Sequence, residues 1–300
     1  MNIKMQMNTP ARFLLFLACL VLSTQVQAEQ PLAVFVVGTH HYSPQLTMPP
    51  LAKQLEQVGF RCKVILPDGD PEKKQTGIGD LSALREADVA VFFLRFLTLP
   101  PDQLKELQNY IKSGKPVVGF RTSTHAFDYP AESPQAVWNN GFGKRVLGSK
   151  YALHLQGATT VNFVEGSEDH PALVNLLKSD TLIAPGTLYI STPPSDAQIL
   201  LTGTGNSRKT GEITNRFGKH ILKATMTSPV AWTWENEWGG RVFTTTMGHA
   251  KSFENPLLVQ FYLNGIQWAA GKNVDADFQA KGFQVNLPRK KKKPTPTSKS

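Results

Sequence analysis

The amino-acid sequence predicts an α/β protein built on a doubly wound, mostly parallel sheet with helices on both faces. Short apolar runs at residues 33–37, 88–94 and 117–120 have the composition of strands that are buried on both sides. Helical patterns separate these runs, and this alternation is typical of parallel sheets. Ligands of such sheets bind beyond the carboxyl ends of the strands, so the residues that follow each run are the candidate functional residues.

The first half of the chain supports this fold element by element. After the strand at residues 33–37, apolar residues within 49–58 repeat at helical spacing, and Gly59 ends that helix. An alternating pattern at residues 61–66 predicts the second strand, and the apolar run at 88–94 predicts the third. Three strands and one helix are therefore expected before residue 100.

The next helix opens at Pro101, because proline and the acidic Asp102 both favour a first helical turn. Gly114 ends it, and the strand at residues 117–120 follows. The second half of the chain is less regular. Strands are expected there at residues 160–164, 199–202, 229–234 and 241–246, and a closing helix at 256–269.

Polar and basic side chains follow the predicted strands at the points where each strand ends. We predict Arg121, His125 and His249 as catalytic residues, and His40, His41, Tyr42, Arg95 and Ser123 as substrate-binding residues. A guanidinium offers fixed donors that can bind or polarise a ligand oxygen. A histidine can act as acid or base near neutral pH. One such residue could equally serve a turn, so the prediction depends on their convergence at one edge of the sheet.

Residues 1–28 are predicted to be a signal peptide. Lys4 and Arg12 form a basic region, an apolar stretch at residues 13–22 follows, and a small-residue cleavage site ends at Ala28. The apolar stretch is too short to span a bilayer. A lipoprotein signal that ends at Cys19 fits less well, because cleavage would fall inside the apolar run. We therefore expect a periplasmic or secreted protein.

The mature chain is predicted to form one α/β domain over residues 29–287, followed by a basic, disordered tail over 288–300. Of the formal net charge of +9, two positive charges belong to the leader and six to the tail, which leaves +1 for the domain. This balance predicts no nucleic-acid partner. The tail is expected to be solvated or to contact an anionic envelope surface. No transmembrane segment is expected, and the oligomeric state is left open.

Cysteine and metal chemistry are weakly indicated. Cys62 would be the only cysteine of the mature chain, which excludes an intrachain disulfide, and its strand pattern predicts a small core residue. No cofactor is required by the sequence. Three histidines at converging strand ends would nevertheless suit a divalent, zinc-like metal ion.

The closing part of the chain carries a specific set of motifs. In order they read Gly248-His249, Asn255-Pro256, Leu263-Asn264-Gly265-Ile266 and Trp268-Ala269-Ala270-Gly271. Further matches are His40-His41, the segment from Arg95 to His125, and His170-Pro171 with Tyr189. Together these motifs resemble the ThuA-like family, which is named for trehalose utilisation. The likeness covers nearly all of the mature chain except the tail.

The resemblance implies the class I glutamine amidotransferase-like fold. In the amidotransferases a cysteine nucleophile lies on the sharp turn after a strand, and a histidine follows a later strand. This sequence has Arg121 in that turn and no cysteine, whereas His249 stands where the amidotransferase histidine would stand. Arginine cannot serve as a nucleophile, so glutamine hydrolysis through a thioester is close to excluded.

From the resemblance and the candidate residues we expect an exported protein that acts on a sugar or an oxidised (keto) glycoside. Histidine-mediated proton transfer would give isomerisation, elimination or hydrolysis. The alternative is a non-catalytic carbohydrate-binding or scaffold protein of the cell envelope, so whether the chain is an enzyme stays open. Glu235 and Glu237 are the nearest carboxylates for ordinary glycoside hydrolysis. A serine hydrolase using Ser123 is disfavoured, because the Gly-x-Ser-x-Gly elbow is missing.

Overall fold

A computed structural model describes residues 29–69, 77–176 and 182–287. The predicted signal peptide and basic tail lie outside the described residues. The strands are β1 (Leu32–Gly38), β2 (Arg61–Ile65), β3 (Val89–Leu94), β4 (Val117–Phe120), β5 (Leu153–His154), β6 (Gln156–Phe163), β7 (Leu182–Ala184), β8 (Tyr189–Ile190), β9 (Gln198–Asn206), β10 (Gly211–Asn215), β11 (Gly218–Leu222), β12 (Thr225–Glu235) and β13 (Arg241–Thr245). The helices are α1 (Pro44–Gln57), α2 (Pro101–Lys112), α3 (Val137–Gly141) and α4 (Pro256–Ala269).

The main sheet is mixed. Nine strands follow the order β2-β1-β3-β4-β13-β12-β9-β6-β7. The first five are parallel to their neighbours, and the pairs from β13 to β7 are antiparallel. The parallel part matches the prediction, whereas the antiparallel extension was not predicted. It arises because a five-residue turn joins β12 to β13, and so short a connection forces antiparallel pairing.

Helices cover both faces of the parallel part, and two apolar clusters hold them there. On one face Phe35 and Val37 of β1 pack in the cluster that contains α1 and α4. On the other face Val34 and Val36 pack in the cluster that contains α2. Side chains that alternate across a strand supply both clusters, which is why β1 reads as a continuous apolar run.

The strand order reverses direction at β1. β1 lies between β2 and β3 in the sheet. The connection after β1 runs to β2 on one side, and the next connection crosses β1 to reach β3 on the other side. Ligands of open α/β sheets bind at such a reversal. The turns after β1 and β3 flank this position. Among the described residues, no helix is long and apolar enough to cross a bilayer.

Candidate functional site

Four neighbouring strands each end in a turn with a left-handed backbone. The residues concerned are Tyr42 after β1 (φ 69°), Phe96 after β3 (φ 47°), Arg121 after β4 (φ 41°) and Gly248 after β13 (φ 118°). A non-glycine residue in this region costs about 1–3 kcal/mol and persists only where its surroundings hold it. Such strain is typical of binding and catalytic sites, and here it surrounds one edge of the sheet.

Arg121 is the centre of the site. Its side chain is 1% exposed, and its Cζ lies 4.2 Å from the ring centroid of Tyr42 and 4.7 Å from that of Tyr189. Nη1 donates to the carbonyl oxygen of Thr246 at 2.9 Å, and Nη2 donates to Oγ1 of Thr187 at 3.1 Å. Nε has no hydrogen-bond partner among the described residues. The guanidinium is therefore fixed in position with one donor unused.

Gly186 makes room for this guanidinium. A Cβ atom at Gly186 would lie 2.7 Å from Nη1 of Arg121 and 3.0 Å from its Cζ. Real Cβ atoms do not approach other atoms this closely, so any larger residue would push the arginine away from its two rings. The loop before β8 is thus shaped around Arg121.

Arg95 provides a second cation at the same edge. It is half-buried, and its Cζ lies 4.5 Å from the ring centroid of Phe96. The Cζ of Arg216, on the turn between β10 and β11, is also 4.5 Å from that centroid. Burial lowers the pKa of Arg95, which means that the protein penalises its charge. Within the described part of the chain, neither Arg95 nor Arg121 forms an ion pair with a carboxylate.

His249 offers a proton donor to the site. Its Nδ1 accepts a hydrogen bond from the backbone N–H of Lys251 at 3.2 Å, so the proton of the neutral ring is on Nε2. Its ring centroid lies 5.4 Å from that of Tyr42. Burial and the charges of Arg121 and Lys251 lower the pKa of His249. At neutral pH the ring is therefore uncharged and presents an N–H group.

Two more of the predicted histidines, His41 and His125, are also neutral at pH 7. Burial, with the charges of Arg95 and Arg121, lowers the pKa of His41 to about 4. His125 is 4% exposed and its pKa lies well below the usual value, chiefly because of burial. Its ring centroid is 4.4 Å from Tyr151 and 4.8 Å from Phe96. The positive charge of the site consequently comes from its arginines.

Several site residues were missed by the sequence reasoning. The hydroxyl of Tyr151 hydrogen-bonds to Nδ1 of His154, and Tyr151 packs edge-on against Phe217 with centroids 4.9 Å apart. Phe217 lies on the turn between β10 and β11, beside Arg216. Tyr189 was named only as a motif match. Tyr151, His154, Arg216 and Phe217 lie in the irregular half of the chain, where no predicted strand end pointed to them.

Two predicted binding residues have other roles. The hydroxyl of Ser123 donates to the carbonyl oxygen of Phe92 at 2.8 Å and accepts from the N–H of Leu94 at 3.0 Å. It is completely buried and ties the turn after β4 to β3. The ring nitrogens of His40 are shielded from solvent. We therefore leave both residues out of the proposed binding surface.

The described residues contain neither a metal-binding cluster nor a reactive thiol. Among the described residues, no group of three histidine, cysteine or acidic side chains could hold a metal ion. Burial raises the pKa of Cys62 to about 12, so the thiol is not a nucleophile at neutral pH. Cys62 packs against the cluster that contains α1, in line with the predicted core role.

Fold and site define an α/β protein with a buried arginine in the strained turn after β4. A family model described as "ThuA: Trehalose utilisation" matches residues 32–269. The chain belongs to this ThuA family, as its motifs predicted.

Two solved structures of ThuA-like proteins are similar to this chain. The protein from Parabacteroides merdae is 17% identical with a TM-score of 0.55, and the match covers 84% of this chain and 95% of that one. The protein from Bacteroides uniformis is 18% identical with a TM-score of 0.54, and the match covers 89% and 97%. At these identities the likeness shows the fold alone. No curated protein sequence matches the chain.

Proposed function

We propose that the chain acts on a sugar or an oxidised (keto) glycoside by proton transfer at the carboxyl edge of its sheet. The observation that supports this most is the buried guanidinium of Arg121, which is clamped between two tyrosine rings and close enough to His249 to lower its pKa. Fixed donors of this kind stabilise charge that develops on oxygen during a reaction. The family description, trehalose utilisation, supports a sugar as the substrate class.

The proposed chemistry begins with a ketone next to the carbon that loses a proton. Removal of that proton places negative charge on the ketone oxygen, which Arg121 and the Nε2–H of His249 would stabilise. His41 is the proposed base, since its ring is neutral at pH 7 and its centroid lies 4.2 Å from that of Tyr42. His125 is enclosed by aromatic rings, so we assign it a positioning role. Return of the proton to another atom gives isomerisation, and loss of a neighbouring substituent gives elimination.

Ordinary glycoside hydrolysis fits the site less well, because it needs two carboxylates across the scissile bond. Glu237 forms an ion pair with Arg145 and lies in the turn before β13. His249 follows the other end of β13, so Glu235 and Glu237 stand at the opposite edge of the sheet. The rings of Tyr42, Tyr151 and Phe217 provide aromatic faces of the kind that pack against sugar C–H groups.

The test is product formation, followed by proton NMR, from disaccharides and their 3-keto forms. His249→Gln should lower kcat by about a hundred-fold or more, as removal of an oxyanion donor does. Glu254→Gln is the matched control, because Glu254 is exposed on the same turn and takes no part in the site. Equal turnover by wild type and His249→Gln would contradict the proposed role.

A non-catalytic carbohydrate-binding or scaffold protein is the second candidate. A pKa of about 4 makes His41 a weak base, which favours binding without turnover. Ligand binding by the wild type with no product from any substrate would support this candidate.

Export to the periplasm or the medium belongs to the same proposal and rests on the sequence of residues 1–28 alone. The basic tail is proposed to contact an anionic envelope surface. An intact mass that matches a chain beginning at Glu29 would support export. A mass that includes residues 1–28 would oppose it.

A further inference from the structure

The charge balance of the site points to an anionic ligand. Three guanidinium groups lie around it, on Arg95, Arg121 and Arg216. Among the described residues, the one carboxylate bound to any of them is that of Asp128, which accepts from Nη2 of Arg216 at 2.9 Å. We propose that the ligand carries a carboxylate or phosphate group and that Arg95 binds it. This inference rests on the proposed function and adds a substrate class to it.

Arg95 has its donors free for such a group. Within the described part of the chain, no hydrogen bond or ion pair engages its guanidinium, and its one close partner is the ring of Phe96 at 4.5 Å. Arginine presents its N–H groups as a planar fork that matches carboxylate and phosphate oxygens two at a time. Half-burial strengthens such a contact, because water competes less for the donors.

Arg121 adds a second, deeper cation with an unused donor. The side chain is 1% exposed and Nε has no partner among the described residues. A buried charged group that lacks a full set of partners is costly, so folded proteins supply a counter-charge or a ligand to such groups. Two tyrosine rings and two threonines meet part of this requirement. An anionic group of a ligand bound nearby would offset the remaining charge.

Among the described residues, no carboxylate forms an ion pair with Arg95 or Arg121. The pKa of His41, His125 and His249 is lowered in each case, so the three rings carry no charge at neutral pH. Burial raises the pKa of Tyr42, but the charge of Arg121 and its hydrogen bonding outweigh burial, so the net shift of this pKa is downward. A cleft with excess positive charge and little water attracts anions selectively.

The two arginines suit different parts of one ligand. Backbone and side-chain oxygens of two residues fix Arg121 at the turn after β4, which suits the oxygen where charge develops. A single aromatic contact holds Arg95, which leaves it free to follow a charged substituent on the sugar. The anionic substituent is therefore placed on the side of the ligand that faces β3.

Calorimetric titration of the full mature chain tests this proposal with matched probes. Glucose, glucuronate and glucose 6-phosphate share one ring and differ in charge. At low salt at least one anionic probe should bind ten-fold or more tightly than glucose, and the two anions separate a carboxylate from a phosphate preference. Arg95→Gln should remove this difference, and added salt should reduce it.

Arg61→Gln is the control for a general charge effect. Arg61 begins β2 at the opposite edge of the sheet, and its side chain is 48% exposed. It should leave the anionic preference unchanged. Equal binding of glucose and both anions, or an anionic preference that survives in Arg95→Gln, would overturn the inference. Turnover of a neutral keto-glycoside alongside either result would leave the proposed function standing, so the two proposals fail separately.

Discussion

Arg121 shows how a strained backbone turn can be kept for a side chain that is not a nucleophile. The turn after β4 holds φ at 41°, which favours glycine or a small residue. Here the guanidinium contacts with Tyr42, Tyr189, Thr187 and Thr246 hold it in place. Under the proposed function, the strained turn would serve electrostatic binding rather than covalent chemistry.

Substitution of Gly186 tests the placement of this guanidinium. Gly186→Ala should lower activity or ligand affinity by about ten- to a hundred-fold, because a small displacement of a positioned group has this effect. Crowding should also lower the free energy of unfolding by about 1–3 kcal/mol. Steady-state kinetics or titration, with a denaturation curve, would measure both.

Gly141→Ala is the matched control. A Cβ at Gly141 would meet no atom within 4 Å, and its backbone is helical at φ −62°. We expect unchanged function and equal or slightly higher stability, since alanine favours the helix. Equal effects of the two substitutions would mean that Gly186 is not fitted to Arg121.

At this scale the sequence could predict which polar residues follow strands, but not where their side chains point. Arg95, Arg121 and His249 reach the site because parallel strand ends meet at one edge. Ser123 lies in the same turn as Arg121, yet it turns back onto β3. The direction of each side chain depends on the backbone dihedral angles of residues 121–123, which a sequence pattern does not contain.

The hairpin of β10 and β11 is the element that places the aromatic ring of Phe217 beside the site. The ring centroid of Phe217 at its turn lies 4.9 Å from that of Tyr151 and 6.5 Å from that of Phe96. Phe217→Ala should weaken ligand binding by about ten-fold and cost only about 0.5–1.5 kcal/mol of stability per lost ring contact. Titration and thermal unfolding of the variant would measure the two effects.

Ile221→Ala is the control on the same hairpin, because Ile221 is 69% exposed. It should change neither affinity nor stability appreciably. A Phe217 variant that binds ligand as well as the wild type would remove the hairpin from the binding surface.

Elements with strong end signals were predictable. The closing helix was expected at residues 256–269, where α4 is found, and Asn255 caps it by accepting from the N–H of Leu257 at 2.9 Å. α1 begins at Pro44 rather than at residue 49, because Pro44 takes the first helical position and Pro49 is accommodated inside. The hairpin was missed because its short polar strands carry no apolar pattern.

The whole molecule should lose stability in mild acid. The pKa values of His41 and His170 are lowered to about 4, in both cases chiefly by burial. An unfolded histidine titrates near pH 6.5. Between these values the unfolded chain binds more protons than the folded chain, so the free energy of unfolding falls as the pH falls from about 6.5 to 4.

Thermal unfolding at pH 4.5 to 8 would measure this decline, which should be absent above about pH 7. His170→Asn is the informative variant, since asparagine retains an acceptor for the N–H of Ala172 that His170 now binds. Its melting temperature should fall less between pH 7 and pH 4.5 than that of the wild type. An unchanged slope would mean that His170 is protonated without cost.

The parallel half of the sheet could be predicted because each of its apolar strands is buried on both faces. The antiparallel half could not, because strands such as β6 alternate exposed and buried residues along short, irregular segments. The strand order also depends on pairing between strands that are distant in the sequence, which no local sequence pattern predicts. The family motifs compensated for this, since they identified the chain where periodicity was weak.

The site residues are far apart in the chain, and only the intact sheet assembles them. In the sequence, His41 lies near the start of the domain and His249 near its end, with Arg95 and Arg121 between them. Any molecule that bridges these groups binds the folded state and not the unfolded one. By thermodynamic linkage, a ligand at a hundred times its Kd would add about 2.7 kcal/mol to the stability of the entire domain. A library of compounds can therefore be screened by melting temperature alone, without an assay of turnover.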